Sequence, residues 1–242
     1  MTRIYQQASF AIHDIFLLDA KAAHHLMNVL RARVNDPVII FNGQGGEYHA
    51  VIVNISKKNV EVRIDAFVLN DVESPLDLHL VQGIARGEKM DFIIQKAVEL
   101  GVKKITPLIT ERCNVKLKED RSEKRWQHWQ SIIISACEQS GRNVIPALAP
   151  PIKFNDWLAA IKSSHCFVLS PHVTSTLSEY EFASHAAISV VIGPEGGLSE
   201  AEINAVIAQG GLPLRLGARI LRTETASLAV LSALQARYGD FG

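Results

Sequence analysis

Alternation of apolar and polar positions in the first third of the chain predicts β-strands. Three segments rich in β-branched residues are separated by turns that contain glycine, asparagine or lysine. They cover residues 36–43, 48–56 and 59–69. Before them, apolar residues recur at helical spacing over about residues 20–32, with one face formed by Ala23, Leu26, Met27 and Leu30. The pattern therefore predicts a small antiparallel β-barrel that contains one helix.

From residue 76 the pattern changes to a regular alternation of buried strands and amphipathic helices, which is typical of a mostly parallel α/β sheet. The predicted strands cover residues 76–85, 102–109, 165–170, 187–192 and 212–216. The predicted helices cover residues 88–100, 122–140, 156–162, 199–209 and 224–238. Because the proline-containing stretch 72–75 separates the two patterns, we predict a first domain over residues 1–72 and a second over residues 73–242.

The 242-residue chain has no net charge, since 25 basic side chains balance 25 acidic ones. Nucleic-acid-binding proteins are often clearly basic, so composition alone gives no support for an RNA or DNA ligand. The charge is nevertheless uneven, because residues 103–125 are predominantly basic. The basic side chains there are Lys103, Lys104, Arg112, Lys116, Lys118, Arg121, Lys124 and Arg125. Charge alone supports a solvated surface and a phosphate-binding surface about equally.

Several protein classes are disfavoured by patterns that the sequence lacks. Residues 1–20 show no basic region followed by a long apolar stretch, so no signal peptide is expected, and the apolar runs are too short to span a membrane. The cysteines Cys113, Cys137 and Cys166 are widely spaced, so we expect free thiols and a cytoplasmic protein. The P-loop, dinucleotide and serine-hydrolase motifs are also missing. His24 and His25 would point to different helix faces, so no metal site is expected.

Two glycine-containing segments near the C-terminus carry the strongest chemical signal. Residues 192–202 and residues 214–226 each follow an apolar strand and lead into a predicted helix. At the carboxyl edge of a parallel sheet, such turns present backbone N–H groups and small pockets to a ligand. Two of them on neighbouring strands are predicted to enclose a compact cofactor.

The helix that follows each of these turns has its own start signal. Ser199 and Glu202 have the spacing of a capping box, in which each residue satisfies a backbone N–H of the other. In the second segment, Thr223 or Thr225 is predicted to cap the helix. These signals by themselves predict only where the helices begin.

Two further polar clusters lie at the ends of predicted elements. Arg86, Glu88 and Lys89 follow the first strand of the sheet, at the edge where α/β proteins bind ligands. Residues 138–142 form a polar helix end that stops at Gly141. Each cluster alone is more often a solvated turn or a helix end. Their presence together with the two glycine turns supports a ligand site.

Four motifs follow one another along the chain, namely ARGEKMDFIIQKAVELG, ACEQSGR, VVIGPEGGLSEAE and LGARILRTETA. Together they resemble the RsmE family of 16S rRNA uridine-N3 methyltransferases, which belongs to the SPOUT class of S-adenosylmethionine-dependent enzymes. The resemblance extends over essentially the whole chain. It implies an α/β fold with a SPOUT-type parallel sheet and a C-terminal trefoil knot, preceded by a small PUA-like β-barrel domain that binds RNA.

The resemblance implies that S-adenosylmethionine binds within the knot, in a pocket made by three loops. These are the loop after Leu169, the Gly193–Gly197 turn and the Leu216–Ala226 segment. The implied cofactor-binding residues are Leu169, Ser170, Gly193, Pro194, Glu195, Gly196, Gly197, Leu216, Gly217, Ile220, Leu221, Thr223, Thr225 and Ala226.

The implied reaction is methyl transfer to N3 of one uridine of 16S rRNA, with the assembled 30S ribosomal subunit as substrate. Uracil N3 carries a proton and is a poor nucleophile until that proton leaves. A cation near the ring oxygens would stabilise the developing anion, and the candidates are Arg222 and Arg86. The candidates for accepting the proton are Glu224 and Glu138.

Contacts to RNA must come from local basic residues, because the net charge is zero. The candidates for phosphate binding are Arg3, Arg31, Arg33, Lys89 and Arg142. Members of the family form homodimers, and the largely apolar helix over Ala226–Leu234 would suit burial at a dimer interface.

Two alternative functions stay open at this point. One is a SPOUT methyltransferase that acts on another RNA site, although the intact motifs around Arg86, Glu138 and Arg142 speak against it. The other is a catalytically silent, ribosome-associated RNA-binding module. Such a module would be expected to have a damaged GPEGG or RTETA motif, and both motifs are intact.

Overall fold

The computed structural model describes residues 1–114, 119–161, 165–182 and 186–242, and gives only the backbone for residues 119–121. It divides the chain into two compact units. The first contains Met1–Glu73 and Cys137–Ile145, and the second contains Ser74–Ala136 and Pro146–Gly242. The predicted domain boundary after residue 72 lies one residue from the end of the first segment. Nothing in the sequence pattern indicated that residues 137–145 belong with it.

Parts of two predictions lie outside the described residues. These are Lys116, Lys118 and the side chain of Arg121 in the basic segment, and Lys162 at the end of a predicted helix. Among the described helices, none is both long and apolar enough to cross a membrane.

The first unit is built on a five-stranded sheet. Its strands are β1 (Thr2–Tyr5), β2 (Ile15–Leu17), β3 (Pro37–Phe41), β4 (Glu47–Ile55) and β5 (Val60–Val68). They lie in the order β1-β3-β4-β5-β2, and every pair is antiparallel except the parallel pair β1 and β3. Alternate apolar side chains such as Ile40, Ile52 and Val62 are buried in one core. The periodicity predicted the three longer strands but missed β1 and β2, which are too short to show a pattern.

The helical segment of this unit is shorter than predicted. Helix α1 (Ala20–His24) is capped by the Asp19 carboxylate, which accepts from the Ala22 N–H, and a π-helical turn (His25–Val29) follows. The prediction that the helix extends to residue 32 was wrong, because Arg31 adopts a φ of +53°, which no right-handed helix allows. Leu30, expected on the buried face, is 44% exposed for the same reason.

The second unit is an α/β structure around a parallel sheet, which confirms the predicted fold class at this level. Its strands lie in the order β12-β10-β11-β6-β7-β8, β9 also pairs with β7, and each of these pairs is parallel. The strands are β6 (Asp77–Gly83), β7 (Lys104–Ile109), β8 (Ala147–Leu148), β9 (Ile152–Lys153), β10 (His165–Leu169), β11 (Ala187–Ile192) and β12 (Leu212–Leu214). Strand β11 lies between β10 and β6, so the carboxyl ends of these three strands meet at one edge of the sheet.

Helices connect the parallel strands. They are α2 (Glu88–Glu99), α3 (Glu119–Ser140), α4 (Phe154–Ala160), α5 (Glu200–Ala208) and α6 (Thr223–Tyr238). Helix α2 begins after the β6 strand and ends near Gly101, whose φ is +79°, as the sequence predicted for a glycine stop. Apolar residues on the inner face of α2, such as Ile93, Ile94 and Ala97, are completely buried.

A histidine lies in the middle of the parallel sheet. His79 on β6 places Nε2 2.8 Å from Thr106 Oγ1 on β7 and Nδ1 3.4 Å from Ser189 Oγ on β11. Burial and, to a smaller extent, the nearby Lys104 charge lower the pKa of His79 from 6.5 to about 4. The imidazole is therefore neutral at physiological pH and serves as a hydrogen-bonding group between three strands.

We expect the free energy of unfolding to fall as the pH decreases from 6.5 to about 4. The unfolded chain takes up a proton on His79 near pH 6.5, whereas the folded chain resists protonation until about pH 4. The contribution lost across this window is about 3 kcal/mol. Urea unfolding of the wild type and of His79→Gln at several pH values measures it. Equal losses in the two proteins would show that another group controls the acid sensitivity.

Candidate functional site

A cavity of about 480 Å³ opens at the carboxyl ends of β10, β11 and β12. This volume lies within the ~300–1,000 Å³ range of small-molecule sites. Three chain segments form most of its wall, and they cover residues 169–172, 192–198 and 214–223. Each segment directly follows one of the three strands, so the parallel arrangement of the strands brings the loops together at one edge.

The cavity collects nearly all the residues that the sequence assigned to a cofactor. Those that line it are Leu169, Ser170, Gly193, Pro194, Glu195, Gly196, Gly197, Leu216, Gly217, Ile220, Leu221, Thr223 and Ala226. Thr225 does not line it, because its position in the first turn of α6 leaves its side chain exposed. The three predicted loops are thus the ones that the fold places around one space.

The glycine-rich turn folds back tightly on itself. A Cβ at Gly193 would lie 2.5 Å from the carbonyl carbon of Gly197, which is closer than real side chains approach backbone. Gly197 itself has a φ of +70°, in the left-handed region that other residues rarely adopt. The turn therefore requires glycine at both ends, and at these two positions it presents backbone to the cavity.

A fully buried polar network ties this turn to the sheet and to helix α6. The Thr223 hydroxyl donates to the Gly193 carbonyl oxygen at 2.6 Å and accepts from Gln82 Nε2 at 3.0 Å. Ser227 Oγ lies 2.7 Å from Gln82 Oε1 and 2.8 Å from the Thr223 carbonyl oxygen. The end of β6, the glycine turn and the start of α6 are thus held together by buried hydrogen bonds.

The helix start at α6 differs from the prediction. Its N-cap is Arg222, which makes no side-chain capping bond, and Thr223 is the first helical residue. The prediction that Thr223 or Thr225 caps this helix was therefore wrong. Thr223 uses its hydroxyl in the buried network instead, and Thr225 is already the third residue of the helix.

A second set of contacts supports the glycine turn from the opposite side. The predicted capping box of α5 is present, and the Glu202 carboxylate accepts from the Ser199 N–H through one oxygen. Its other oxygen accepts from the Glu111 N–H at 2.9 Å, which joins the loop after β7 to α5. The neighbouring Arg112 donates to the carbonyl oxygens of Gly196 and Leu198. Arg112 therefore braces the turn.

The four residues with predicted catalytic roles lie in different surroundings. Arg222 lines the cavity and is exposed at its mouth. Glu224 places Oε1 3.8 Å from Lys89 Nζ, and its buried Oε2 has no hydrogen-bond partner among the described residues. The side chain of Arg86 is exposed, while its backbone N–H donates to Glu195 Oε1 at 2.9 Å. The loop after β6 is thus attached to the glycine turn.

Glu138, the fourth of these residues, belongs to the first unit. Its carboxylate accepts from the Tyr5 N–H at 3.0 Å. Burial raises the pKa of this carboxyl group, and the hydrogen bond from Tyr5 opposes that rise. The Glu138 carboxylate is therefore already bound to the backbone of Tyr5 within the first unit.

Two of the five residues predicted to bind RNA phosphates are held in buried ion pairs. The side chain of Arg142 is 4% exposed and donates through Nε and a terminal nitrogen to the Glu73 carboxylate. The side chain of Arg3 is 11% exposed and contacts Glu47 and Asn143. Both predictions need correction, because these guanidinium groups are paired within the first unit and are not presented to solvent. They fasten residues 137–145 to the sheet.

The other three predicted RNA-binding residues keep accessible side chains. Arg31 and Arg33 are exposed in the turn that precedes β3. Lys89 is partly exposed at the start of α2 and lines the cavity.

The sequence patterns did not assign several residues that shape the site. They are Gln82, Arg112, His172, Arg215, Arg219 and Ser227. A signal was available for two of them: Gln82 is a polar residue near the end of strand β6, and Arg112 follows the carboxyl end of β7. The others acquire their role only through contacts between distant parts of the chain.

A parallel α/β sheet with a ligand-sized cavity between glycine turns at its carboxyl edge defines the class of ligand-binding α/β proteins. Comparison with family models agrees with this class. Residues 72–235 match the model of the RNA methyltransferase domain, and residues 18–65 match that of the RNA methyltransferase PUA domain.

Curated relatives identify the particular family. The chain is 39% identical to ribosomal RNA small subunit methyltransferase E of Buchnera aphidicola, over 98% of this chain and 97% of that protein. It is 32% identical to the Bacillus subtilis enzyme of the same name, over 90% of this chain and 89% of that one. The chain belongs to the ribosomal RNA small subunit methyltransferase E family, which confirms the resemblance noted from its four motifs.

Two solved structures match this chain along nearly its full length. The Neisseria gonorrhoeae ribosomal RNA small subunit methyltransferase E, crystallised with S-adenosylmethionine, has a TM-score of 0.93 at 40% identity and covers 100% of both chains. A Legionella pneumophila methyltransferase solved with the same bound cofactor has a TM-score of 0.95 at 42% identity, covering 99% of this chain and 98% of that one.

We expect Thr223→Val to lower the free energy of unfolding by about 1–3 kcal/mol, because it removes two buried hydrogen bonds and leaves the Gly193 carbonyl with only a longer contact, 3.4 Å from Gln82 Nε2. Valine has nearly the shape of threonine, so packing is preserved. Thr225→Val is the matched control, since the same change at an exposed position of the same helix should alter stability by less than about 0.5 kcal/mol. Urea unfolding measures both, and equal effects of the two substitutions would contradict a structural role for the network.

Proposed function

We propose that this chain is an S-adenosylmethionine-dependent methyltransferase that methylates N3 of one uridine in 16S rRNA, acting on the 30S subunit. The observation that carries the proposal is the cavity at the ends of β10, β11 and β12. Its walls come from the GPEGG and RTETA segments of a family whose solved relative holds S-adenosylmethionine. We place this reaction in the cytoplasm, in keeping with three free cysteines.

The residues around the cavity fit this cofactor. Apolar side chains such as Leu169, Ile192 and Leu221 provide a wall against which an adenine ring can pack. At the glycines of the Gly193–Gly197 turn, the backbone can come close to the polar atoms of the cofactor. When bound, the cofactor supplies an activated methyl group on a sulfonium centre.

The chemical task of the protein is then to favour the uracil anion and align it. Of the two arginine candidates, we assign Arg222 to stabilise the negative charge that develops on the ring, because it lines the cavity and Arg86 does not. We assign Glu224 to accept the N3 proton. It directly follows the cavity-lining Thr223, and its Oε2 has no hydrogen-bond partner within the described chain, whereas Glu138 Oε1 is bonded to Tyr5.

We also propose that the first unit contributes RNA contacts and that the enzyme works as a homodimer with a trefoil-knotted cofactor site. The PUA match and the exposed Arg31 and Arg33 support the first point. Helix α6 is consistent with the second, since Val230, Leu231 and Leu234 are buried inside the protomer while its other apolar face, with Leu228, is only half-buried. Family membership supports the knot.

The direct test uses small ribosomal subunits from cells that lack this protein. The purified protein is added with labelled S-adenosylmethionine, and the methyl group is located by mass spectrometry of rRNA digests. We expect N3-methyluridine at a single position. Methylation of another RNA or another atom would replace the substrate assignment. Absence of both cofactor binding and methylation would instead favour a catalytically silent RNA-binding module.

We expect Arg222→Ala to lower the methylation rate at saturating substrate by about 100-fold, because a positioned cation at a developing charge typically contributes this much. The dissociation constant of S-adenosylmethionine should change little. Arg237→Ala, which removes an exposed arginine from the last turn of the same helix, is the control and should leave both quantities unchanged. Rapid-quench turnover and calorimetry measure them. Normal turnover of Arg222→Ala would remove Arg222 from the mechanism.

A further inference from the structure

The lining of the cavity is strongly cationic although the chain as a whole is neutral. Five permanently basic side chains reach it, namely Lys89, Arg112, Arg215, Arg219 and Arg222, together with His172. Glu195 is the one carboxylate among the lining residues, and its Oε1 accepts a backbone N–H from Arg86. The positive charge here is therefore a local property of the site.

Two of these cations have partners within the protein. Arg112 donates to the carbonyl oxygens of Gly196 and Leu198, and Lys89 lies 3.8 Å from the Glu224 carboxylate. No such partner is found for the other three arginines among the residues that the structure describes. Arg215 is the clearest case, because its Nε is buried and makes no hydrogen bond there.

The three unpaired arginines lie on one short segment. Arg215 follows β12, Arg219 comes four residues later, and Arg222 stands at the start of α6. Arg219 and Arg222 are exposed while Arg215 is half-buried, so the segment presents positive charge from the wall of the cavity to its mouth. Positive charges this close together repel one another, and an anionic ligand bound between them would reduce that repulsion.

The proposed cofactor does not supply the missing negative charge. S-adenosylmethionine carries a sulfonium cation and an ammonium group against one carboxylate, so it adds net positive charge to the site. The substrate of the proposed reaction is an RNA, in contrast, and carries one phosphodiester anion per nucleotide. The planar guanidinium fork of arginine binds phosphate oxygens in a bidentate manner.

We propose that Arg215 and Arg219 form a phosphate-binding subsite that holds the RNA backbone next to the target uridine. The inference rests on the proposed function for the identity of the RNA, and on the unpaired arginines for the subsite itself. Arg222 keeps the role assigned above, which is to stabilise the negative charge on the uracil ring. The subsite anchors the backbone so that a base can enter the cavity from a fixed position, which is the arrangement required when a base is extruded for chemistry.

The test measures binding of a short single-stranded oligouridylate to the full chain over a range of KCl concentrations. The variants are Arg215→Gln and Arg219→Gln, and the control is Lys153→Gln, an exposed change in the second unit away from the cavity. Each arginine variant should weaken binding about tenfold at low salt. Each should also reduce the slope of log affinity against log salt by about 0.7, the value for one phosphate contact on a single strand. The control should match the wild type.

Two further measurements make the result decisive. A methylphosphonate oligouridylate, whose backbone is neutral, should bind the wild type and both variants equally. The dissociation constant of S-adenosylmethionine should be the same in all proteins. If it rises tenfold in the variants, the arginines bind the cofactor carboxylate and the subsite proposal is overturned. Unchanged salt slopes, or no binding of oligouridylate by the wild type, would also overturn it.

The small-subunit methylation assay separates this proposal from the proposed reaction. A wild-type protein that fails to methylate rRNA, yet binds oligouridylate through Arg215 and Arg219, would disprove the reaction and retain the phosphate subsite. A wild-type protein that methylates rRNA with variants of unchanged kcat/KM at every salt concentration would retain the reaction and disprove the subsite.

Discussion

The buried hydrogen bonds among Gln82, Thr223 and the Gly193 carbonyl are the interaction on which the cavity depends. They join the end of one central strand, the glycine turn after another and the first residue of the last helix. A polar group left unpaired in such a place costs several kcal/mol, so the three elements are held in one arrangement. One loop that lines the cavity is this glycine turn, and another ends at the first residue of this helix, so the network fixes the two loops relative to each other.

The loop after β7 provides a second fixed boundary through Glu202 and Arg112. Glu202 satisfies N–H groups of two separate segments with its two oxygens, and Arg112 binds carbonyl oxygens of the turn. The turn is thus held from both sides. What then distinguishes the site chemically is charge, since the side chains of Arg215, Arg219 and Arg222 have no partner in the described part of the chain and lie beside a wall of apolar groups and backbone. A neutral net charge conceals this local excess, which explains why composition carried no signal for an RNA ligand.

Local patterns predicted a large part of this structure. Strand and helix alternation predicted the parallel sheet, the Ser199–Glu202 spacing predicted the capping box, and the glycine segments predicted the loops of the cavity. The predictions that failed concern side chains whose partners lie far away in the sequence. Arg3 and Arg142 were expected on an RNA-binding surface, but both are paired with carboxylates far along the chain. A charged residue has the same local appearance whether its partner is a phosphate in solution or a glutamate from another strand.

The sequence by itself determined the class of fold, the family and the segments that carry the chemistry, because periodicity and turn composition act over a few residues. Only the tertiary structure decided which polar side chains are paired within the protein and which remain available to bind a ligand. Thr223 became part of a buried network instead of a helix cap, and residues 137–145 joined the first unit. These outcomes depend on hydrogen bonds and ion pairs between residues distant in sequence, and such partners are chosen only when the chain has packed.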